Sequence, residues 1–428
     1  MRSNKVVNLR SLITVLATII LLSACQSNGL TPNGDLVLRN KAEIESPPKN
    51  KILLSPSFII PDEVWLNFVK APNHQKKLYC NRIYDSSYIK NLIPDPIPDK
   101  IEGLNSKMDN KTEVQGFRSL DQFVSNFSAY TTSAFASDNQ DHLVSALDAL
   151  YQFASSNALI KTKQCVIGGK FRCPKDWLRK DGQDLSKSKD FSSVQMRVMH
   201  LFYAYTAFLK NTKTPVEGKK KVIEDWFAKF MKRNKPIKDV YFGLDLGWHW
   251  PELAKVADIN YERGHRLASR IVKKLDKLIL TDGSLKDRTT RGDRALWYHH
   301  EAIGETMITL EIARYFGVKI PDRIHKKIER AGLIFVNAIM DPSSLDPWAS
   351  KAHNSTYYSG RQNFNMNISR ITSANSWFYI FQYRYPNSNV TKDLKKLLLN
   401  YKNANRDGMV GIGLGCIYGS ASAVIKGE

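Results

Sequence analysis

Between residues 118 and 403 apolar side chains return every three to four positions, and this periodicity constrains the fold more than any other feature. Leu143, Leu147, Leu150 and Tyr151 share one helical face. So do Val194, Val198, Leu201, Phe202 and Tyr205, and then Val222, Ile223, Trp226, Phe227 and Phe230. The same spacing runs through 261–280, 294–316, 321–340, 366–384 and 391–403. A convincing series of strands, βαβ order and a Gly-rich phosphate loop are all missing, which excludes the nucleotide-binding α/β folds. Roughly ten helices joined by loops predict a large all-α domain, with helical hairpins stacked into a ring or arc. Residues 51–115 are rich in Pro turns, such as Asp95-Pro96-Ile97-Pro98, and show no long periodic run.

Charge then asks for a partner. The chain has 428 residues, 43% of them hydrophobic, which excludes a wholly disordered chain, and a formal net charge of +22. That excess predicts an anionic partner: nucleic acid, an acidic membrane or an acidic polymer. The N-terminus narrows the choice. Arg2, Lys5 and Arg10 precede an uncharged apolar run from Leu12 to Leu22, long enough for a signal peptide and too short for a comfortable span. Leu22-Ser23-Ala24-Cys25 then resembles a bacterial lipobox, in which the cysteine is acylated and becomes the new N-terminus. The alternative is a conventional signal peptide with an incidental Cys25.

The expected organisation is a lipoprotein signal peptide over 1–24, a lipid-anchored flexible tether over 25–50, and a single domain over 51–428. Gln26 after the cysteine suggests outer-membrane sorting, so the chain is expected in the bacterial envelope, facing the periplasm or the cell surface. Removing the signal takes away three basic and no acidic residues, which leaves +19. An exported chain seldom meets DNA, so an acidic polymer becomes the expected partner, with membrane contact through the lipid anchor, no nucleic acid, and a monomeric state.

Four cysteines remain, Cys80, Cys165, Cys173 and Cys416, an even number that permits two disulfides in an oxidising compartment. Cys165 and Cys173 flank a short Gly-rich turn, and Cys80 with Cys416 would tie early chain to late; four cysteines allow three pairings, and spacing does not choose among them. Neither C-x-x-C nor H-E-x-x-H occurs, so no metal site is expected. No cofactor is expected either.

Three stretches break the helical pattern: Gly103 to Met108, Gly243 to Trp250, and Asp282 to Leu285 leading into Arg291-Gly292-Asp293-Arg294-Ala295-Leu296-Trp297-Tyr298-His299-His300. On a helix, Arg291, Arg294 and Tyr298 fall within about 60° of one another. Two guanidinium groups beside a phenol favour the phenolate, an arrangement suited to proton transfer next to a carboxylate-bearing substrate. Glu301 and Glu305 lie on nearly the same face, so the competing reading is an intrahelical ion-pair stripe with a core-flanking tyrosine.

The segment from Asp282 to Phe316 resembles the alginate lyase family that cleaves poly(mannuronate). The shared pattern is Asp282-Gly283, a small linker, Arg291-Gly292-x-Arg294-Ala295-Leu296-x-Tyr298-His299, then a helix. Weaker similarity lies in Tyr151 to Ala154 with Ala158-Leu159, in Ile223 to Trp226, in Ser376-Trp377, and in Gly103 to Met108, the family's lid segment. The resemblance spans roughly residues 80–405 and implies an incomplete (α/α) toroid.

It also implies β-elimination on an acidic, uronate-containing polysaccharide, such as alginate or a glucuronan-like polymer. The reaction must neutralise the C6 carboxylate, remove the C5 proton and protonate the leaving O4. Tyr298 matches the catalytic tyrosine, donating to O4 and, for syn elimination, also acting as base. Arg291 matches the arginine that assists it and offsets negative charge.

Two departures bear on substrate. The family's Asn-Asn-His has no full counterpart. A gap of about five residues, by count along the chain, aligns His249 with its histidine, between Trp248 and Trp250. His249 is then a carboxylate-neutralising or base residue, or else a hydrogen-bonded core histidine. Trp248 and Trp250 stack on sugar rings or belong to the core. The lid Ser-Lys-Tyr reads Ser106-Lys107-Met108, so only Lys107 carries over.

Arg294, Lys107 and His299 are further candidates for substrate contact, and of His299 and His300 at most one faces the cleft, since adjacent helical residues point about 100° apart. The polar run from His353 to Arg361 reads as a loop able to line a groove, and His200 as structural. Two alternatives to a lyase stay open. One is an inactive polysaccharide-binding lipoprotein. The other is a toroidal glycoside hydrolase with Asp245 and either Glu301 or Glu305 as its two carboxylates.

Overall fold

The computed structural model describes residues 55–80, 92–99, 101, 117–137, 139–162, 166–167, 170–171, 191–233, 261–353, 355–363, 376–400 and 413–426. All of them fall in one unit, Pro47–Glu428. Outside the described residues lie the signal and tether, the lid segment with Lys107, the segment with Trp248, His249 and Trp250, and Cys25, Cys165 and Cys173.

Thirteen α-helices occur among the described residues: α1 (Asp62–Lys70), α2 (Asn73–Cys80), α3 (Phe117–Ser137), α4 (Gln140–Ser155), α5 (Phe191–Asn211), α6 (Glu217–Arg233), α7 (Tyr261–Leu278), α8 (Ala295–Tyr315), α9 (Asp322–Met340), the single turn α10 (Asp346–Ala349), α11 (Ser376–Arg384), α12 (Asn389–Asn400) and α13 (Leu414–Lys426). The one sheet among the described residues is a two-residue antiparallel pair, Val166–Ile167 with Lys170–Phe171.

Packing skips alternate helices. α3 packs on α5 while α4 packs on α6; α8 packs on α11 while α9 packs on α12, and α11 continues to α13. Neighbours in sequence also pair, as in α3 with α4, α7 with α8, α8 with α9 and α11 with α12. This is the signature of hairpins arranged in two layers, one helix of each pair inside and its mate outside.

Burial sorts the helices into those layers. α8 is covered from Ala302 to Ala313 without interruption, and α11 from Ser376 to Tyr383. Helices apolar all round belong inside. α7 and α9 bury one stripe each: Leu267, Ala268, Ile271, Val272 and Leu275 on α7, and Ile324, Ile328, Ala331, Phe335 and Ala338 on α9. Their charged faces look outward. Two segments of weak family resemblance meet here, because the buried Trp226 donates its indole N–H to the Ala158 carbonyl at 2.7 Å.

The late chain is stitched to the early chain. Cys80 at the end of α2 and Cys416 in α13 form a disulfide, both fully buried. Nearby, a buried ion cluster joins four helices. The Glu311 carboxylate of α8 accepts from Arg384 of α11 and from the Tyr418 hydroxyl of α13 at 2.6 Å, and it pairs with Arg314. Arg384 also reaches Glu63 of α1 at 2.9 Å. Burial alone would raise the Glu311 carboxyl, but Arg384, Arg314 and the Tyr418 hydrogen bond hold it below the usual range.

Candidate functional site

The Arg-Tyr segment is built as a turn feeding a helix, not as one helix. α8 begins only at Ala295, after a 3₁₀ turn over Gly292–Arg294. The reading of Arg291, Arg294 and Tyr298 as one helical face is therefore corrected. Gly292 has φ +61°, and a Cβ there would lie 2.5 Å from the Ser355 hydroxyl and 3.0 Å from the Thr356 carbonyl. Only glycine makes this turn, and so Arg291 stays outside the helix. Replacing Gly292 by Ala is expected to lower unfolding stability by about 1–2 kcal/mol in denaturant titration, through left-handed strain and the Ser355 overlap.

The His353–Arg361 run buttresses this turn rather than lying apart from it. Ser355 donates its hydroxyl proton to the Arg291 carbonyl, and Asp293 N–H bonds the Thr356 carbonyl at 2.8 Å. Gln362 completes the brace. Its Oε1 accepts from Leu296 N–H at 3.1 Å, and its amide donates to the Gly292 carbonyl at 3.2 Å. The N-cap position of α8 lacks a side-chain cap of its own, so a residue 66 positions away satisfies an orphan amide.

The Asp282-Gly283 turn sets the other edge. Asp282 accepts from Ser284 N–H at 2.9 Å and from its hydroxyl at 2.7 Å, and from the Trp348 indole at 3.0 Å. Burial opposes its charge, yet these donors keep its carboxyl below the usual range. Gly283, with φ +89°, presses on the α9 backbone, where a Cβ would be 2.6 Å from Ala331 N.

Between these turns, Tyr298 emerges half-buried beneath two guanidinium groups. Arg291 lies 4.8 Å from the ring centroid and Arg288 lies 5.3 Å away. Arg291 Nε donates to the Asp287 carbonyl at 2.7 Å, and Asp287 itself takes the left-handed conformation, φ +59°. Burial, and then the like charge of Arg288, lower the Arg291 pKa from its ordinary value. Cations over an aromatic face are attracted to the negative face of the ring.

Of the sequence-predicted residues, the structure joins Arg291 to Tyr298. Arg294 is exposed on the 3₁₀ turn, and the second cation over the ring is Arg288, which the sequence reading did not single out. Arg288 reaches the ring across a turn, a contact that helical spacing from Tyr298 does not reveal.

His299, expected as a substrate contact, is corrected to a structural role. It has no accessible surface; its Nε2 donates to the Ala331 carbonyl at 2.9 Å, and its Nδ1 takes the Thr289 hydroxyl proton at 2.8 Å. Thr289 Oγ1 in turn accepts from Leu285 N–H at 2.8 Å. His299 therefore pins the turn that carries Arg288 and Arg291 onto α9. His300 is buried too, stacked 5.2 Å from Phe335, and it accepts the Trp377 indole proton at 3.1 Å. His200 is likewise buried.

Glu301 and Glu305 divide. Glu301 pairs with Arg288 at 3.8 Å. Glu305 is 7% exposed, and its Oε2 has no hydrogen-bond partner among the described residues. Burial, then Glu301, push its carboxyl up to about 8. Burial holds His299 down at about 4, and burial with His299 holds His300 at about 3.

These shifts predict a dome in stability against pH. Both histidines fold neutral, so their contribution is present above their ordinary 6.5 and is lost as pH falls toward 4 and 3. Glu305 folds protonated, so its contribution is present below 4.5 and is lost as pH rises toward 8. Melting temperature should peak near pH 6.5, and Glu305→Gln should remove the decline above it. A decline unchanged in that variant contradicts the assignment.

Among the described residues, no group of three or more His, Cys, Asp or Glu is placed to hold a metal ion. No helix among them is long and apolar enough to cross a membrane.

No protein-family model matches the sequence, and neither does any curated protein. Solved structures do match. A tyrosine-to-phenylalanine variant of alginate lyase A1-III complexed with a tetrasaccharide superposes with a TM-score of 0.58 at 12% identity, over 86% of this chain and 97% of that one. Alginate lyase A1-III from Sphingomonas species A1 gives 0.55 at 12% identity, over 79% and 91%. An alginate lyase from Bacteroides ovatus gives 0.58 at 13% identity, over 85% and 99%. With its two helical layers, the chain is an all-α, incomplete (α/α) toroid of the alginate-lyase-like kind.

Proposed function

We propose that this protein is a polysaccharide lyase that cleaves a uronate-containing polymer by β-elimination without a metal cofactor. The observation that carries the reading is the Arg291 guanidinium stacked 4.8 Å over the Tyr298 ring, at the mouth of a turn braced on both sides. The fold supports it, since one neighbour of the same architecture is an alginate lyase complexed with a tetrasaccharide. In the proposed reaction the C5 proton passes to a base, the C5 electron pair forms the C4–C5 double bond, and the O4 bond breaks. Tyr298 protonates the departing O4 and, for syn elimination, also removes the C5 proton. Arg291 opposes charge building on the carboxylate. His249 and Lys107 are proposed to help neutralise the carboxylate, and Arg294, Trp248 and Trp250 to contact the polymer.

Glu305 is too buried to reach a glycosidic oxygen, which leaves Asp245 with Glu301 as the carboxylate pair of the hydrolase alternative. The charge of +19 on the processed chain fits a polyanion drawn to the site. The protein is proposed to act as a monomer, anchored through acylated Cys25 in the bacterial envelope. Loss of membrane-fraction partitioning in Cys25→Ser checks the anchor, and unchanged partitioning contradicts it.

The test of function is a panel of mannuronate-rich alginate, guluronate-rich alginate and glucuronan incubated with purified protein. Rising ultraviolet absorbance from unsaturated uronate ends on at least one polymer is expected. Retardation of a polymer without that absorbance favours the binding protein instead.

A further inference from the structure

The site holds one charged cluster that the proposed reaction leaves unused: Arg288, Glu301 and Glu305. We infer that Arg288 is a positioning residue for Tyr298, a second guanidinium mounted on Glu301 and directed at the catalytic ring. The inference rests on the elimination reading above and adds to it a residue that no substrate touches.

Geometry separates the two arginines. Arg291 is half-buried at the edge of the site, where a polymer carboxylate can reach it. Arg288 is 6% exposed, so its charge acts within the protein. Its guanidinium carbon sits 5.3 Å from the Tyr298 centroid, and one Nη lies 3.8 Å from Glu301 Oε2. Tyr298 and Glu301 are three residues apart on α8 and therefore neighbours on one face. A single side chain arriving from the preceding turn meets both.

That turn is shaped for the purpose. Arg288 N–H bonds the Leu285 carbonyl at 3.0 Å, directly after the left-handed Asp287. Thr289, the next residue, is locked to His299. The backbone under Arg288 is thus held from both sides, and the side chain is buried against the ring.

Glu305 explains why the cluster is not a plain salt bridge. It follows Glu301 by one turn, on the same face, and its Oε2 finds no hydrogen-bond partner among the described residues. A carboxyl so placed stays protonated, and Glu301 is the counter-ion that seats Arg288 at 3.8 Å. Low exposure strengthens the pull between the guanidinium and the ring face, because charge acts more strongly where water is excluded.

The experiment compares the wild type with Arg288→Gln and Arg288→Lys on whichever polyuronate the wild type cleaves. Arg288→Gln should lose about 10- to 100-fold in kcat while KM stays within about twofold, since the side chain acts on Tyr298 and not on substrate. Arg288→Lys should recover most of the loss by restoring a cation. Unchanged kcat in Arg288→Gln overturns the inference, and so does a loss that lysine does not recover.

Should the wild type cleave nothing, the elimination reading fails by itself, and Arg288 is judged by fluorine NMR of protein labelled with 3-fluorotyrosine. The Tyr298 line, identified by its absence in Tyr298→Phe, should move in Arg288→Gln and stay in Arg294→Gln. Equal behaviour in the two variants overturns the contact. If Arg288→Gln does not fold, the same line is read in Arg288→Lys, where an unmoved resonance overturns it.

Discussion

Tyr298→Phe should abolish unsaturated uronate ends, with kcat falling at least about 10³-fold and the melting temperature unchanged. The phenol hydroxyl is the one atom removed, and the ring remains to receive Arg291 and Arg288 from 4.8 and 5.3 Å. Packing around the ring is kept, so stability reports no loss. In a syn elimination the Tyr298 oxygen takes the C5 proton and then hands a proton to O4. Its loss then removes acid and base together, and the effect exceeds that of removing either arginine. Binding of polymer should persist, because the guanidinium groups that oppose its charge are intact. Measured kcat, KM and thermal unfolding on the purified variant check all three statements. Full activity contradicts the mechanism.

Glu311→Ala should be the most damaging single change to the fold, lowering stability by about 3–5 kcal/mol. Glu311 is fully buried and is the shared acceptor for Arg384, Arg314 and Tyr418. Removing it strands the guanidinium of Arg384 among α8, α11 and α13, with the half-exposed Glu63 as its remaining counter-ion among the described residues. The cost is the desolvation of a charge that has lost its partner, not merely the lost attraction. Glu311→Gln should cost less, because the amide still accepts the Tyr418 hydrogen bond. Denaturant unfolding of the two variants gives the ranking, and equal losses contradict it.

The outer helices could be read in the sequence because they bury one stripe. The expected 321–340 and 261–280 became α9 (Asp322–Met340) and α7 (Tyr261–Leu278) within a residue or two. Inner helices carry less of that signal, although the expected 294–316 became α8 (Ala295–Tyr315). α13 was missed because Leu414 to Ala423 is buried on every side and so presents no apolar stripe to detect. α1 and α2 are short, and they disappeared among the Pro-rich turns of 51–115.

At the site, sequence reasoning paired Arg291 with Tyr298 by helical spacing, whereas the contact is made by a turn that Gly292 ends. The pairing stands on different geometry. Arg288 was hidden for the same reason, since a side chain reaching across a turn has no characteristic spacing. His299 looked available from its place beside Tyr298, but neighbours on a helix face different ways, and its face is turned into α9.

The central claim is that the protein breaks glycosidic bonds by elimination. Mass spectrometry of the chain ends released from the cleaved polyuronate tests it most directly. Elimination leaves each new non-reducing end one water lighter than hydrolysis does, with a C4–C5 double bond. Unsaturated ends in the wild-type digest, absent with Tyr298→Phe, are the expected result. Saturated ends, or polymer left uncut by every polyuronate incubation, would contradict the account.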